Sequence, residues 1–468
     1  MSFVASSFVL FLVLFFFLFY LTPGRFRWVI VLIGSYLFYS FEDPFFLIPL
    51  LISTIIDYTS AIAIERNRSN NKKYFFLAIS LLTNISLLVY FKYTDFFTSM
   101  FNLSESMGYS PSSVGLYAIP IGISFYTFQT VSYTLDVFNG SRNAERHLGY
   151  FAVFVSFFPQ LVAGPIEKSA KLIPQLKSFV NVKIKNIKVL DATSLIIWGL
   201  VKKVLIADRI GVVVDKVYES PSEFSSILLI FSGCLFMIQI YCDFSGYTLI
   251  ARGVAKLFGI ELSKNWNFPL FQTSFKSFWV NWHITLSIWF KDYIYLPLGG
   301  NKVPFLKWGL LTLFVFFISG FWHGANYTFI IWGVLNGMFL IVEKFFSKYL
   351  KVRKLKLFSW GLIFILTGLF FISFRATSLN QLLLIGNLIL EFQFDFIHDY
   401  VKLDMWKFSH LVNVALIISF FSYEFFCYFN KMEFEKSILK NPEVQLFLVF
   451  LILILGEFQN KTFIYFQF

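Results

Sequence analysis

Ser2-Phe3-Val4-Ala5-Ser6-Ser7-Phe8-Val9-Leu10-Phe11-Leu12-Val13-Leu14-Phe15-Phe16-Phe17-Leu18-Phe19-Tyr20-Leu21 runs without a charge at the start of the chain. A helix crossing the hydrocarbon core needs about 20 mostly apolar residues, and a water-facing surface could not carry Phe15-Phe16-Phe17 without aggregating. No positive charge precedes this stretch, and Thr22-Pro23-Gly24-Arg25 follows it where a small-residue cleavage site would stand. It therefore reads as a first membrane helix and not as a removable signal peptide.

The rest of the 468 residues repeat the theme, with 57% hydrophobic, 21% aromatic and 14% charged residues. Soluble domains carry about 25% charged residues, so a soluble enzyme is excluded and an all-α polytopic membrane protein is expected. Phe occurs 66 times, which with the abundant Ile, Lys and Asn fits an AT-rich genome better than an aromatic cofactor box. Lys plus Arg outnumber Asp plus Glu, 39 − 27 = +12, and short cytoplasmic loops explain that excess without nucleic acid.

Apolar stretches near 3–21, 27–41, 44–64, 74–91, 117–137, 191–212, 224–246, 306–322, 326–343, 358–374, 411–429 and 444–457 are read as spans, roughly 11–12 membrane helices in one domain covering 1–468. Arg25, Arg27, Arg66, Arg68, Lys72, Lys73, Arg142 and Arg146 all fall on one side if the N-terminus starts outside, and the loop 166–190 with its six lysines belongs there too. That side is expected to be the cytoplasm, with both termini extracytoplasmic. The apolar stretch 148–164 lies between two such loops, so it must dip in and return, with Pro159 and Gly164-Pro165 as breaks. The interval 263–304, rich in Trp, Tyr and Asn, is expected along the cytoplasmic leaflet.

Cys234, Cys242 and Cys427 lack any paired spacing, and no Walker loop, dinucleotide fingerprint or His-Glu-x-x-His helix occurs, so neither a zinc site nor any other metal is expected. Of five histidines, two stand out. His323, in Ser319-Gly320-Phe321-Trp322-His323-Gly324-Ala325-Asn326, ends an almost wholly apolar helix; ionisable groups at membrane depth are costly and by default functional, although a backbone carbonyl could equally satisfy a lone imidazole. Read at helical spacing, Trp279, His283 and Ser287 share a face, as they also would on an interfacial anchor helix. Asp243, in Gln239-Ile240-Tyr241-Cys242-Asp243-Phe244-Ser245-Gly246-Tyr247, reads as the end of a helix, either lining a cavity or paired with Arg252 or Lys256. Glu424 is an isolated ionisable group inside 411–429 and keeps a transporter reading open.

Six segments in order carry a resemblance: Ile119-Pro120-Ile121-Gly122-Ile123-Ser124-Phe125-Tyr126-Thr127-Phe128-Gln129, Ser156-Phe157-Phe158-Pro159-Gln160-Leu161-Val162-Ala163-Gly164-Pro165-Ile166, Asp243 to Tyr247, Phe278-Trp279 through His283, Asp292-Tyr293-Ile294-Tyr295-Leu296-Pro297-Leu298-Gly299-Gly300, and Trp322-His323-Gly324. Together they resemble the membrane-bound O-acyltransferase (MBOAT) family, in particular its bacterial branch of alginate and peptidoglycan O-acetyltransferases. The resemblance implies a ring of tilted helices and re-entrant segments around a central tunnel, joining a cytoplasmic donor pocket to an extracytoplasmic acceptor funnel in the bacterial inner membrane. His323 matches the family's near-invariant histidine and His283 its second polar position. Asn281, Asp243, Ser319 and Asn326 become candidates for the tunnel lining. Relatives usually carry basic residues where this chain has Val280-Asn281 and an acid where it has Leu249.

The reading that follows is a membrane O-acetyltransferase. His323 takes a proton from an attacking hydroxyl, while His283, Asn281 or backbone amides hold the oxyanion. No cofactor is permanently bound; acetyl-CoA is the expected donor, and an extracytoplasmic SGNH-type acetyltransferase is the expected partner, beside the lipid bilayer itself. Acceptors are alginate-like exopolysaccharide or peptidoglycan. The alternatives are a teichoic-acid D-alanyl transferase fed by an acyl carrier protein and a transporter of an acylated glycan or small solute, although no matched pair of broken helices supports the latter. The tail Phe463-Ile464-Tyr465-Phe466-Gln467-Phe468 could be an interfacial end, but it resembles the aromatic C-terminal motif of bacterial acyl-transfer systems, which makes Tyr465 a candidate acyl carrier.

Overall fold

The structure, a computed structural model, describes residues 3–100, 119–162, 164–347, 356–404, 408–433, 437–458 and 463–464. Among these residues the chain is helical and holds no strand. Seven of the described helices are long and apolar enough to cross a membrane: Pro44–Arg66, Asn70–Thr98, Ser226–Leu257, Phe305–His323, Tyr327–Phe346, Lys356–Arg375 and His410–Phe429. Four shorter apolar helices accompany them, Ser6–Leu21, Leu148–Leu161, Leu379–Leu390 and Pro442–Leu455. Leu379–Leu390 is absent from the spans read off the sequence, because its 12 residues fall well short of a full crossing.

The chain divides into two compact units, residues 1–196 with 250–263 and residues 197–249 with 264–468. In the first, three helices, Leu47–Arg66, Asn70–Leu88 and Ile123–Phe138, are joined by a buried polar cluster. Asn84 Nδ2 donates to both Asp57 carboxylate oxygens, at 3.0 and 2.9 Å, and Ser53 Oγ donates to Asn84 Oδ1 at 2.6 Å. Lipid tails provide no hydrophobic drive between helices, so such interhelical hydrogen bonds fix which helices meet.

The loops expected on one side lie together at one end of this unit. Arg27 donates to the carbonyls of Phe179 (3.0 Å) and Val182, Lys177 pairs with Glu145 at 2.7 Å, and Arg146 pairs with Glu65. Since 139–147 and 166–177 meet there, the chain between them leaves and returns at the same end, as a re-entrant segment does. Its helix Leu148–Ser156 breaks at Phe157, just before Pro159, and the freed amide of Phe158 donates to Ser35 Oγ at 3.1 Å. The break is buried throughout, a setting that tolerates it at membrane depth.

In the second unit the Ser226–Leu257 helix supplies the core: from Leu229 to Leu249 nearly every side chain is buried. Asp243 therefore does not end a helix, contrary to the sequence reading. The helix continues through Gly246, where the backbone of Gly199 approaches closely; a methyl there would lie 2.7 Å from the Gly199 carbonyl oxygen. The interval 263–304 breaks into short helices, Phe275–Asn281 and Ile284–Phe290 among them. The first is capped by Ser274 and by Glu343, whose carboxylate accepts the amides of Phe275 and Lys276.

Candidate active site

His323 closes the Phe305–His323 helix, and the chain turns into Tyr327–Ser347 directly after it. The two helices pack backbone to backbone at Gly320 and Gly333, where a methyl on either would run into the carbonyl of Phe329 or Phe316. This close approach lays Trp332 edge-on across His323, ring centroids 5.1 Å apart and planes at 90°. Trp322 at 4.9 Å and Phe374 at 5.2 Å complete the enclosure, and His323 is buried. Ser319 lies one turn earlier on the same helix face and is also buried.

His283 sits at a break that the sequence reading missed. Helix Phe275–Asn281 stops, His283 takes φ +42° and ψ 57°, and Ile284–Phe290 begins. Trp279, His283 and Ser287 are thus not successive turns of one helix; Ser287 Oγ instead reaches back to the carbonyls of Trp282 (3.3 Å) and Trp279 (3.4 Å). A non-glycine residue in the left-handed region costs about 1–2 kcal/mol and persists only where its surroundings enforce it. Asn265 enforces it: its carbonyl accepts the Ile284 amide at 2.8 Å and its Oδ1 accepts the Thr285 amide at 3.1 Å and the Thr285 hydroxyl at 2.9 Å. The His283 ring packs edge-on against Phe244 at 4.7 Å and near Trp266 at 5.8 Å. Burial pushes its imidazole down from the ordinary range to about 3, so it is neutral throughout the physiological range.

An unbroken series of rings joins the two histidines. Trp266 meets Trp282 at 4.8 Å, Trp282 meets Phe371 at 5.2 Å, Phe371 meets Phe374 at 5.7 Å, and Trp279 meets Trp332 at 5.6 Å. Centroid separations of 4.5–7 Å are those of stacked and edge-to-face pairs. Apolar walls of this kind disfavour water, and an imidazole set among them can act as a base on a substrate hydroxyl brought within hydrogen-bond reach.

The polar tunnel candidates divide. Asn281 donates to the Ser277 carbonyl (2.8 Å) and accepts from Asn267 (2.8 Å), so it staples the broken helix. Asn326 donates to the Thr377 carbonyl (2.8 Å) and accepts the Thr328 amide (3.2 Å), locking the turn after His323. Asp243 pairs with Lys203 at 2.7 Å, not with Arg252 or Lys256, and its second oxygen accepts the Ile464 amide at 2.8 Å. Glu424 is not isolated: Lys202 Nζ lies 2.5 Å away and the Tyr241 hydroxyl donates to it at 2.9 Å. Its charge is met, which removes the one residue that supported a transporter. Lys202 and Lys203, absent from the sequence reading, lie in a π-helical turn, Val201–Ala207, a feature frequent at functional sites. Among the described residues, no three His, Cys, Asp or Glu side chains group as a metal site would require. Tyr465 lies outside the described residues, whereas Phe463 and Ile464 before it are buried.

Residues 72–385 match the pattern of the MBOAT, membrane-bound O-acyltransferase family, a range that includes both histidines and Asp243. The chain is 35% identical over 383 residues to the peptidoglycan O-acetyltransferase of Helicobacter pylori, covering 75% of this chain and 72% of the relative. It is 34% identical over 379 residues to a probable alginate O-acetylase of Pseudomonas aeruginosa, 79% of this chain and 71% of the relative. Likeness to the teichoic acid D-alanyltransferase of Bacillus subtilis is weaker, 26% over 246 residues and 50% of this chain.

Proposed function

The chain belongs to the membrane-bound O-acyltransferase family and is a multi-pass membrane acyltransferase, and from that premise we propose that it transfers acetyl groups to a cell-envelope polysaccharide of the alginate or peptidoglycan kind. The observation carrying this reading is the pair of buried imidazoles, one at a helix end and one at a strained break, joined by aromatic rings. That site lies within the stretch shared with relatives named for O-acetylation.

In the proposed reaction the donor is acetyl-CoA, arriving from the basic, cytoplasmic side of the inner membrane. An attacking hydroxyl gives its proton to His323 as its oxygen forms a bond to the acetyl carbonyl carbon. The neutral His283 donates to the resulting oxyanion. When the C–S bond breaks, the leaving thiolate takes the proton back from His323. Tyr465 provides the hydroxyl: coenzyme A is too large and charged to cross, so an ester on the extracytoplasmic tail holds the acetyl group until an SGNH-type acetyltransferase removes it. Both termini then face outward.

The experiment is incubation of the purified protein in lipid nanodiscs with labelled acetyl-CoA and mass spectrometry of the C-terminal peptide. Acetyl on Tyr465 in the wild type, absent from His323→Ala, is expected. Full glycan acetylation in cells by Tyr465→Phe would refute the carrier, and label accepted only from an acylated carrier protein would refute the donor.

A further inference from the structure

We propose that Lys203 and Asp243 are positioning residues that seat the C-terminal segment beside His283 by gripping its backbone at Ile464, an inference resting on the reading of Tyr465 as carrier. Asp243 is 1% exposed near the middle of the Ser226–Leu257 helix. A carboxylate so buried requires its charge to be met. Lys203 does so at 2.7 Å, held in turn by Asp208 at 2.8 Å. The second carboxylate oxygen then has lone pairs to offer, and the Ile464 amide occupies them at 2.8 Å. A hydrogen bond to the main chain makes no demand on which side chain stands at 464.

The same short stretch holds the chain twice more. Val204, in the π-helical turn, accepts the Glu457 amide at 3.1 Å, and Arg209 donates to the Leu455 carbonyl at 3.0 Å. Residues 203–209 with Asp243 thus form a rail for Leu455, Glu457 and Ile464. At its end the Phe463 ring lies between Tyr247 (4.5 Å) and Phe244 (5.3 Å), and Phe244 touches the His283 imidazole at 4.7 Å. Phe463 is therefore separated from His283 by one ring. Holding a chain end needs only apolar packing, which Phe463 already provides. A buried ion pair gains little stability over apolar side chains of the same volume, so directional placement is what the pair adds.

The test uses the full-length protein in nanodiscs and reads three quantities: hydrogen exchange at the Ile464 amide, acetyl label on the C-terminal peptide, and acetyl-CoA binding. Asp243→Ala and Lys203→Met should each speed exchange and lower labelling roughly tenfold or more, the scale of a lost hydrogen bond to a charged group, with acetyl-CoA binding unchanged. Asp243→Asn retains an acceptor oxygen and should preserve much of the protection. Should the core variants fail to fold, Ile464→Pro removes the donor while leaving every residue of the helices in place and should by itself lower labelling by about the same factor. Undiminished labelling in a folded Asp243→Ala or in Ile464→Pro, or an Ile464 amide that exchanges freely in the wild type, would overturn the proposal. An amide protected through Asp243 on a tail that never carries acetyl would support the anchor and refute the carrier.

Discussion

Replacing His283 by Gly and by Ala tests the backbone break and the role of the imidazole together. Both variants delete the ring and lose the same contacts to Phe244 and Trp266, so packing cancels in the comparison. What differs is the backbone. At φ +42° an alanine keeps the steric penalty of the left-handed region, about 1–2 kcal/mol, whereas glycine avoids it and loses about 0.5–1 kcal/mol through its freer unfolded chain. Glycine should therefore be the more stable variant by roughly 0.5–1 kcal/mol. A continuous helix through position 283 would give the opposite sign, with glycine worse by about 1 kcal/mol. The assay is unfolding in a single detergent followed by tryptophan fluorescence, with Trp266 and Trp282 as nearby reporters. Both variants should lose acetyl transfer equally, since neither has an imidazole. A glycine variant less stable than alanine would refute the strained break, and full activity in either would remove His283 from the chemistry.

His323→Ala should fold, insert and bind donor while losing transfer by roughly 10²–10⁴-fold; near wild-type transfer by the purified variant would exclude it as base. Glu424→Gln strands Lys202 as a buried charge and should cost about 3–5 kcal/mol, whereas the double variant Lys202→Met with Glu424→Leu should recover most of that in the same unfolding assay. His283 adds an acid sensitivity: its folded pKa of about 3 lies below the unfolded value near 6.5, so between the two the unfolded chain binds the extra proton and stability falls as pH drops below about 6.5. The drop in melting temperature from neutral to acid pH should accordingly be smaller in His283→Asn, which also tolerates positive φ. Lys72 should resist a membrane-impermeant amine reagent in intact cells and label after lysis; labelling in intact cells would invert the proposed orientation.

Hydropathy made the fold class legible because each full span announces itself by length, and the same rule hid Leu379–Leu390, whose 12 residues do not. Charge bias grouped the loops around Arg27, Arg66, Arg146 and 166–190, and contacts at one end of the first unit agree with that grouping. His323 was legible as the lone polar group ending an apolar helix. The break at His283 was not, because the four-residue spacing of Trp279, His283 and Ser287 imitates a helix. What interrupts it is Asn265, eighteen positions upstream, which takes over the amide of Thr285 and accepts that of Ile284. Lys202 and Lys203 disappeared inside an apolar stretch for a similar reason: their partners, Glu424 and Asp243, are 222 and 40 residues away. These two pairings are long-range, and local spacing carries no trace of them, although Asp208 stands only five residues from Lys203.

The abundance of Phe follows from composition, but the placement of Trp does not. Five of the 11 tryptophans, at 266, 279, 282, 322 and 332, belong to the rings around His283 and His323. The backbone explains why such rings suit this place. Gly320 and Gly333 bring two helices into direct backbone contact, and Gly246 does the same with Gly199, so the supports for the imidazoles are set by hard contacts instead of adjustable side chains. Large rings with two torsions each can then span the remaining gaps with little loss of rotamer freedom, where Leu or Met would leave mobile ends. An imidazole confined this way keeps its orientation, and acyl transfer depends on such positioning of the acceptor's proton within hydrogen-bond reach. Gly320→Ala should therefore lower transfer through geometry alone: its methyl would run into the Phe329 carbonyl oxygen and push away the helix that carries Trp332, and wild-type transfer by the folded variant would refute that reasoning.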